Sequence, residues 1–351
     1  MRRLDRKSAQ AHSVQVKATL PSARTVASIA AVAAIVRLAT RYVKVRDAMA
    51  DVPPELRSPI LPLTTGGLSE RSLRQARMAM RLGTKPGHGV TMTERHTDGE
   101  QPVRVLVITP AAVGERAPAI LSIHGGGMVI GSPQFEASEG GRLARELGAV
   151  VVSPDYRLAP EHPFPAPLDD CMATLRWMRA HADELGLDPD RIAVAGSSAG
   201  GGLSAAVAQR ATDEGIPLRA QVLVYPMLDD RSTLIDDHGG RGRFMWTPKS
   251  SRWAWTAYLG REPQGDFAPE YAAPARRTDL AGLPPAWVGV GDLDILYDEG
   301  VGYAERLKSC GVPTELVTVT GMYHGADGIR PKVPTMQAFR RGMADFLRAR
   351  L

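Results

Sequence analysis

The feature of this sequence that most constrains its fold is a repeated alternation of short apolar runs with helix-like segments. The apolar runs occupy residues 103–109, 119–123, 149–153, 192–195, 220–225, 286–290 and 315–319. The helix-like segments span residues 136–147, 168–185, 199–214, 298–310 and 334–350. Strands that alternate with helices predict an α/β fold with a mostly parallel sheet and helices on both of its faces. The nearly continuous apolar character of the runs also indicates strands that are covered on both sides.

Two parts of the 351-residue chain depart from this alternation. Residues 1–84 precede the core and include a predicted helix over 69–83. Residues 227–284 contain no clear strand, and five of the nineteen aromatic residues of the chain fall within 244–258. We therefore expect a core made of residues 85–226 and 285–351, with an insertion at 227–284 that covers part of it.

The net charge of +5 belongs to the N-terminal segment and not to the body of the protein. Residues 1–50 contain ten Lys and Arg against two Asp and Glu, whereas the other 301 residues contain 33 against 36. The body lacks the excess of positive charge that nucleic-acid binding needs, so we predict no nucleic-acid partner. The two cysteines, Cys171 and Cys310, fit neither a metal-ligand spacing nor a disulfide framework.

The N-terminal segment contains an uncharged, alanine-rich apolar run at residues 26–36. Eleven residues are too few to span a bilayer, and the basic residues that follow the run do not suit a signal peptide. A helix over residues 26–46 that packs on the protein or rests on an anionic membrane surface fits better. We therefore predict a cytoplasmic protein with peripheral membrane contact, and we expect residues 1–24 to be mobile.

A candidate nucleophile lies in the stretch RIAVAGSSAGGG, residues 191–202. The stretch reads as a strand, then the pentapeptide GSSAG, then a helix. A G-x-S-x-G pentapeptide between a strand and a helix places its serine on a tight turn, from which the side-chain oxygen projects out of the sheet. Ser198 is therefore predicted to be a nucleophile.

A glycine-rich loop, HGGG at residues 124–127, follows an earlier strand-like run. Acyl transfer produces an oxyanion that preorganised N–H donors must stabilise. In sites of this type, one donor is the backbone N–H of the residue after the nucleophile, and the others come from a glycine loop after an earlier strand. We therefore predict an oxyanion hole formed by Gly126, Gly127 and Ala199. A tight turn without a chemical role is the alternative explanation of the three glycines.

The base and the acid that a serine nucleophile needs follow it in the chain. Three aspartates lie at the end of one strand-like run, within VGVGDLDILYDEG, and one histidine follows the next run, within TVTGMYHGAD: Asp292, Asp294, Asp298 and His324. The order Ser, Asp, His is found in α/β folds that carry a G-x-S-x-G turn. His324 would accept the proton of Ser198, while one aspartate would hold the imidazole in the required tautomer. The pattern itself leaves open which of the three aspartates does so.

With these motifs the sequence resembles a known family, the hormone-sensitive-lipase-like group of α/β-hydrolase carboxylesterases. The resemblance covers about residues 85–351. Five motifs carry it: HGGG (124–127), SPDYRLAPEHPFPAPLDD (153–170), GSSAGGGLSAA (196–206), DILYDEG (294–300) and GMYHGAD (321–327). The resemblance implies an α/β-hydrolase fold with a helical cap, and a serine carboxylesterase that acts on small-molecule esters.

The resemblance also selects one of the aspartates. The D-x-L-x-D motif of the family matches DILYD at residues 294–298, and the acid of the family is its first aspartate, which implies Asp294. Two positions depart from the family pattern: Ser197 stands where many members carry Asp, and Ile295 stands where Pro is usual. These departures concern the subgroup and the substrate more than the chemistry.

The cap of the family is built from an N-terminal segment and an insertion before the acid, which matches residues 1–84 and 227–284. The aromatic cluster at 244–258 indicates a covered, mostly apolar pocket of limited depth, so esters of short to medium acyl chains are the predicted substrates. A Ser-His-Asp triad needs neither a metal ion nor a cofactor, and we expect none. The oligomeric state is left open, with a homodimer as one alternative.

Other functions share part of this pattern. Gly200, Gly202 and Ala205 fit the G-x-G-x-x-A of a dinucleotide-binding loop, but no acidic residue ends the next strand, VLVYPM, as that function requires. A non-catalytic binding protein on the same scaffold typically lacks a triad residue, whereas all three are present here. An amide or N-acetyl hydrolase would use the same residues, and the sequence does not separate it from an esterase.

Overall fold

The computed structural model describes residues 32, 36, 45–80 and 83–351. The chain divides into two units, residues 1–45 and 46–351, and the second unit contains the entire sheet. The mobile segment predicted for residues 1–24 lies outside the described residues, and so does most of the helix predicted over 26–46. In the described part of the chain, no helix is long and apolar enough to cross a membrane.

An eight-stranded sheet forms the centre of the second unit. Its strands are β1 (Val90–His96), β2 (Arg104–Pro110), β3 (Ala117–Ile123), β4 (Val150–Pro154), β5 (Leu187–Ser197), β6 (Ala220–Val224), β7 (Ala286–Gly291) and β8 (Thr314–Val319). Their order across the sheet is β1-β2-β4-β3-β5-β6-β7-β8. Strand β2 is antiparallel to both of its neighbours, and all other neighbouring pairs are parallel. The predicted α/β fold with a mostly parallel sheet is confirmed.

Both faces of the sheet are covered, as the apolar character of its strands predicts. Every residue of β4, β6 and β7 is buried. Because successive side chains of a strand point to opposite faces, a strand that is buried throughout must be packed on both sides. The largest fully buried side chains include Trp287 on β7 and Tyr303 on the helix that follows it.

Helices connect and cover the strands. They are α1 (Glu70–Met80), α2 (Ala137–Leu147), α3 (Ala166–Ala180), α4 (Ala182–Leu185), α5 (Ala199–Asp213), α6 (Pro248–Leu259), α7 (Tyr297–Ser309), α8 (Ala326–Ile329) and α9 (Pro334–Arg348). Helix α2 packs against α9, and α3 packs against α5, which also lies along β3, β5 and β6. Helix α6 is the α-helix of the insertion at 227–284, and no described residue of that insertion is in a strand.

Strand β1 is the strand that the sequence pattern missed. Its sequence is VTMTERH, and all of its residues except the first are exposed. It lies at the edge of the sheet, where it pairs only with β2. An exposed antiparallel edge strand buries no face, so it shows no apolar alternation from which it could be predicted.

The parallel strands bring the predicted functional residues to one edge of the sheet. Strands β3, β5, β7 and β8 run in the same direction, so their carboxyl ends lie on the same side. In folds of this kind, sites form outside the carboxyl ends of the strands. These four ends are followed, in order, by the HGGG loop, Ser198, Asp294 and His324.

Candidate active site

Ser198 occupies a strained turn between β5 and α5. Its backbone angles are φ 56° and ψ −120°, which a residue with a side chain adopts only at a cost of about 1–3 kcal/mol. The Ser198 N–H donates to Val224 O of the neighbouring strand at 2.8 Å, which fixes the turn to the sheet. A Cβ at Gly200 would lie 1.9 Å from Ile123 O, so only glycine allows α5 to begin this close to β3. The turn therefore holds the Ser198 hydroxyl at the end of the sheet.

Three side chains form a hydrogen-bonded chain at this edge of the sheet. His324 Nε2 lies 2.9 Å from Ser198 Oγ, and His324 Nδ1 lies 2.7 Å from Asp294 Oδ2. All three residues are buried, and Asp294 is only 1% exposed. Since the carboxylate can only accept, Nδ1 carries the proton and Nε2 is free to accept the Ser198 proton. The three residues are separated by up to 126 positions in the chain, and the parallel strands that precede them bring them to the same edge of the sheet.

The three candidate aspartates have different partners. Asp294 is the one that contacts the imidazole, and its other oxygen, Oδ1, accepts from Leu296 N–H at 3.0 Å. Asp292 instead accepts from Gly321 N–H at 2.6 Å, at the start of the loop that carries His324. Asp298 pairs with Arg241 and is largely exposed. The geometry therefore distinguishes Asp294 from its neighbours, a choice that the spacing of the residues left open.

The HGGG loop presents unpaired N–H groups beside the Ser198 turn. Gly126 has φ 120°, and a Cβ there would lie 2.2 Å from Ile130 O, so the loop can close only with glycine at this position. Gly126 O accepts from Val129 N–H and Ile130 N–H. Among the described residues, no protein acceptor receives a hydrogen bond from the N–H of Gly126, Gly127 or Ala199. These are the three groups predicted as oxyanion donors.

His124 packs beside the HGGG loop and takes no part in the hydrogen-bonded chain of Ser198, His324 and Asp294. Its ring stacks on Tyr156 at a centroid distance of 4.1 Å, and its Nδ1 lies 2.9 Å from Gly125 O. Tyr156 donates its hydroxyl to His124 O at 2.9 Å. Burial lowers the pKa of His124 to about 4, so the ring is neutral at neutral pH. These contacts with Gly125 and Tyr156 indicate a structural role for His124.

Two aromatic side chains lie beside the His324 imidazole. The ring centroids of Tyr225 and Trp246 lie 4.7 and 6.1 Å from that of His324. Trp246 belongs to the insertion and is 6% exposed, and a Cβ on Gly127 would lie only 2.4 Å from its Cη2 atom. Trp246 therefore contacts the glycine loop and lies close to the imidazole. Trp255, also within the predicted aromatic cluster, is instead fully buried against Tyr258.

Two carboxyl groups near the site were not selected from the sequence. Asp327 accepts from the Tyr225 hydroxyl at 2.8 Å, and burial raises its pKa. Glu136 accepts from Gly125 N–H and from the Ser197 hydroxyl. Asp327 lies within the GMYHGAD motif, which could have drawn attention to it. Glu136 lies in QFEASEG, where an acidic residue at the start of a helix is ordinary, so no sequence signal marked it.

Comparison with known proteins places the chain in a family. The family model described as alpha/beta hydrolase fold matches residues 120–327, which include every predicted site residue. Carboxylesterase NlhH of Mycobacterium tuberculosis is 40% identical over 262 residues, which are 72% of this chain and 80% of that protein. Esterase LipI of Mycobacterium tuberculosis is 39% identical over 239 residues, 65% of this chain and 71% of its own length.

Solved structures agree with these relatives. A bacterial heroin esterase has a TM-score of 0.78 and 36% identity, with 86% of this chain and 98% of that chain covered. The esterase LipW from Mycobacterium marinum has a TM-score of 0.75 and 32% identity, with 86% and 96% covered. The chain therefore belongs to the alpha/beta hydrolase fold family. Within it, the resemblance to the hormone-sensitive-lipase-like group is confirmed.

Proposed function

We propose that this protein is a carboxylic ester hydrolase that forms an acyl-enzyme on Ser198. The hydrogen-bonded chain from Ser198 through His324 to Asp294, with distances of 2.9 and 2.7 Å, carries the proposal. The carboxylesterase and esterase relatives support the class of reaction. The substrate is a small-molecule ester.

In the first half of the reaction, Ser198 Oγ attacks the carbonyl carbon of the ester while His324 Nε2 accepts its proton. The oxygen of the tetrahedral intermediate becomes negative and receives hydrogen bonds from the N–H groups of Gly126, Gly127 and Ala199. The intermediate then breaks its bond to the alcohol oxygen. His324 returns the proton to that oxygen, so a neutral alcohol leaves and an acyl-serine remains.

In the second half, water replaces the alcohol. The water oxygen attacks the acyl carbon while His324 Nε2 accepts one proton of that water. The same three N–H groups donate hydrogen bonds to the oxyanion that forms. The bond to Ser198 Oγ breaks, the serine regains its proton from His324, and the carboxylic acid leaves. Asp294 holds the imidazole through Nδ1 and stabilises the imidazolium that forms in each half.

The insertion at residues 227–284, together with residues 1–84, is proposed to act as a cap that limits the depth of the pocket. The contact of Trp246 with Gly127, and its proximity to His324, support this division of the chain, because the insertion thereby places a large apolar ring beside the glycine loop and the proposed base. We expect the highest kcat/KM on p-nitrophenyl esters of short to medium acyl chains. Turnover of an emulsified long-chain triglyceride should be small, and strong activation at such an interface would contradict a covered pocket.

Replacement of Trp246 by alanine is expected to shift the preference toward longer acyl chains. The variant removes a buried ring beside the glycine loop, and the space left can accept additional methylene groups. The ratio of kcat/KM for p-nitrophenyl decanoate to that for the acetate should rise about tenfold. Trp253→Ala is the matched control, since Trp253 lies on the same insertion and is partly exposed. An unchanged ratio in Trp246→Ala would place the acyl chain elsewhere.

The basic N-terminal segment is proposed to contact anionic membranes. Residues 1–24 contain six Lys and Arg against one Asp, and each basic residue near an anionic surface contributes about 1 kcal/mol. Deletion of residues 1–24 should weaken co-sedimentation with anionic liposomes at low salt and leave ester hydrolysis nearly unchanged. Binding of the full chain that does not depend on salt, or no binding at all, would contradict this proposal.

A further inference from the structure

Glu136 lies beside the Ser198 turn but is not part of the triad. Its Oε1 atom accepts two hydrogen bonds, from Gly125 N–H at 2.9 Å and from Ser197 Oγ at 2.7 Å. Gly125 directly precedes the two glycines of the proposed oxyanion hole, and Ser197 directly precedes the proposed nucleophile. A single carboxyl oxygen therefore joins the two backbone segments between which a substrate carbonyl would lie.

The position of Glu136 at the start of α2 suggests that its side chain caps the N-terminus of this helix, but its contacts do not support that role. A side chain at this position usually accepts from an N–H group of its own helix, but that of Glu136 makes no such bond. Among the residues that the structure describes, no Lys or Arg pairs with Glu136. The next acidic residue of the helix, Glu139, forms ion pairs with Arg142 and Arg340 instead. Glu136 alone is directed at the loop.

The two segments that Glu136 joins are already in close contact. A Cβ placed on Gly125 would lie 3.0 Å from Ser197 O and 3.4 Å from Ser198 Cβ. At this distance, a shift of the glycine loop changes the distance between its N–H groups and the Ser198 hydroxyl. The loss of one oxyanion donor costs about 10²–10³ in kcat, so even a partial shift has a large effect on rate.

The ionised carboxyl group of Glu136 is electrostatically unfavourable in the folded chain. Burial raises the pKa of Glu136 to about 7, although the two hydrogen bonds it accepts lower it. The nearby carboxyl groups of Glu139 on α2 and Asp327 on α8 raise it further. Of the groups around it, Arg340 on α9 pairs with Glu139, and His124 at the end of β3 is neutral.

The raised pKa of Glu136 determines how its contribution to the free energy of unfolding changes with pH. Since the folded pKa of Glu136 lies above the ordinary value of 4.5, the folded chain binds a proton that the unfolded chain has released between these two values. The contribution of Glu136 to the free energy of unfolding therefore falls as the pH rises from about 4.5 to about 7. At neutral pH and above, the carboxylate weakens the fold, which a role in stability does not explain.

We propose that Glu136 is a positioning residue for the reaction described above, and that its carboxylate holds the oxyanion loop in register with the nucleophile turn through Gly125 and Ser197. The inference rests on the proposed function of Ser198. Glu136 contacts no reacting atom and acts only through these two neighbours. Protonation of its carboxyl group weakens both hydrogen bonds, so the enzyme loses this alignment in acid.

The test compares kcat and KM of four variants on p-nitrophenyl butyrate at pH 8. Glu136→Ala should lower kcat by about 10- to 100-fold with little change in KM, because loop alignment affects the oxyanion more than the bound ester. Ser197→Ala should lower kcat by at least about threefold, and Ser197→Thr should restore it by supplying a hydroxyl. Glu139→Gln is the control on the same helix, and its kcat should stay within about threefold of wild type even if its melting temperature falls.

The pH profile gives a second measurement that a purely structural role would not change. The acid limb of kcat in the wild type should include the protonation of Glu136, whose pKa burial raises to about 7. Glu136→Gln retains an acceptor oxygen but cannot titrate, so its acid limb should be less steep than that of the wild type, by one proton. An unchanged limb in Glu136→Gln would overturn the proposal. If Glu136→Ala does not fold, a Ser197→Ala variant with wild-type kcat would also overturn it.

Labelling with a fluorophosphonate separates this inference from the proposed function. Wild type and all variants of Glu136 and Ser197 should be labelled on Ser198, with slower labelling in Glu136→Ala. Absence of label on wild-type Ser198 would refute the proposed function itself. Normal labelling of the wild type, with Glu136→Ala retaining a third or more of its kcat, would refute only the role of Glu136.

Discussion

Replacement of Ser198 by alanine is expected to lower kcat for a p-nitrophenyl ester by a factor on the order of 10⁶. The variant removes the atom that would form the acyl-enzyme, and His324 is left without a proton to accept. Some acceleration over the uncatalysed reaction should remain, because the N–H groups of the loop can still stabilise an oxyanion formed by attack of water. Binding should change much less than turnover, so KM is expected to stay within a few-fold of its wild-type value.

A fluorophosphonate tests the same residue without turnover. The wild type should gain the mass of one phosphonyl group, whereas Ser198→Ala should not. Ser204→Ala is a matched control, because Ser204 is a buried serine on α5 whose hydroxyl donates to Gly200 O at 2.7 Å. It should be labelled like the wild type and keep most of its activity. Equal labelling of Ser198→Ala and wild type would place the nucleophile on another residue.

Much of the fold could be predicted because its strands are buried on both faces. A fully buried strand such as β7, AWVGVG, produces a continuous run without polar side chains, and the helices between such runs imply parallel connections. The alpha/beta hydrolase fold, which the resemblance to the family implied, is confirmed by the family model and the solved structures. Strand β1 could not be predicted in the same way. Its residues face solvent and are held by main-chain hydrogen bonds to β2, which leave no pattern in the side chains.

The candidate site was predictable to the extent that its residues follow strand ends. Ser198 and His324 could be chosen from local patterns. Each follows an apolar run, and its motif offers few other residues that could play the same role. Three aspartates follow β7, and their spacing alone did not separate them. The resemblance to the family implied Asp294, and the structure brings Asp294 to His324 Nδ1. The catalytic roles of these residues stay predictions until the variants are measured.

Contacts between distant segments were beyond the reach of sequence patterns. Glu136 and Ser197 are separated by 61 positions, and nothing in either local sequence indicates the other. Trp246 could be assigned to an aromatic cluster, but its contact with Gly127 depends on how the insertion folds back over the core. Such contacts depend on tertiary packing, whereas a sequence motif reflects only constraints on residues that are close together in the chain.

Replacement of Asp294 by asparagine is expected to lower kcat by about 10⁴, for a reason specific to this site. Asp294 Oδ1 accepts from Leu296 N–H, so asparagine would keep its oxygen there and turn its amide nitrogen toward His324. The amide donates to Nδ1 and forces the imidazole proton onto Nε2. In that tautomer His324 cannot accept the Ser198 proton, although the arrangement of the three side chains is otherwise preserved.

Asp292→Asn provides the comparison that makes this prediction specific. Asp292 accepts from Gly321 N–H, and asparagine can accept the same bond with its own oxygen. Its kcat should therefore stay within about tenfold of wild type, since no tautomer depends on it. Both variants carry the same change of charge and lie two residues apart, so a general electrostatic effect would lower both rates alike. A larger loss in Asp292→Asn than in Asp294→Asn would mean that Asp292, and not Asp294, orients the base.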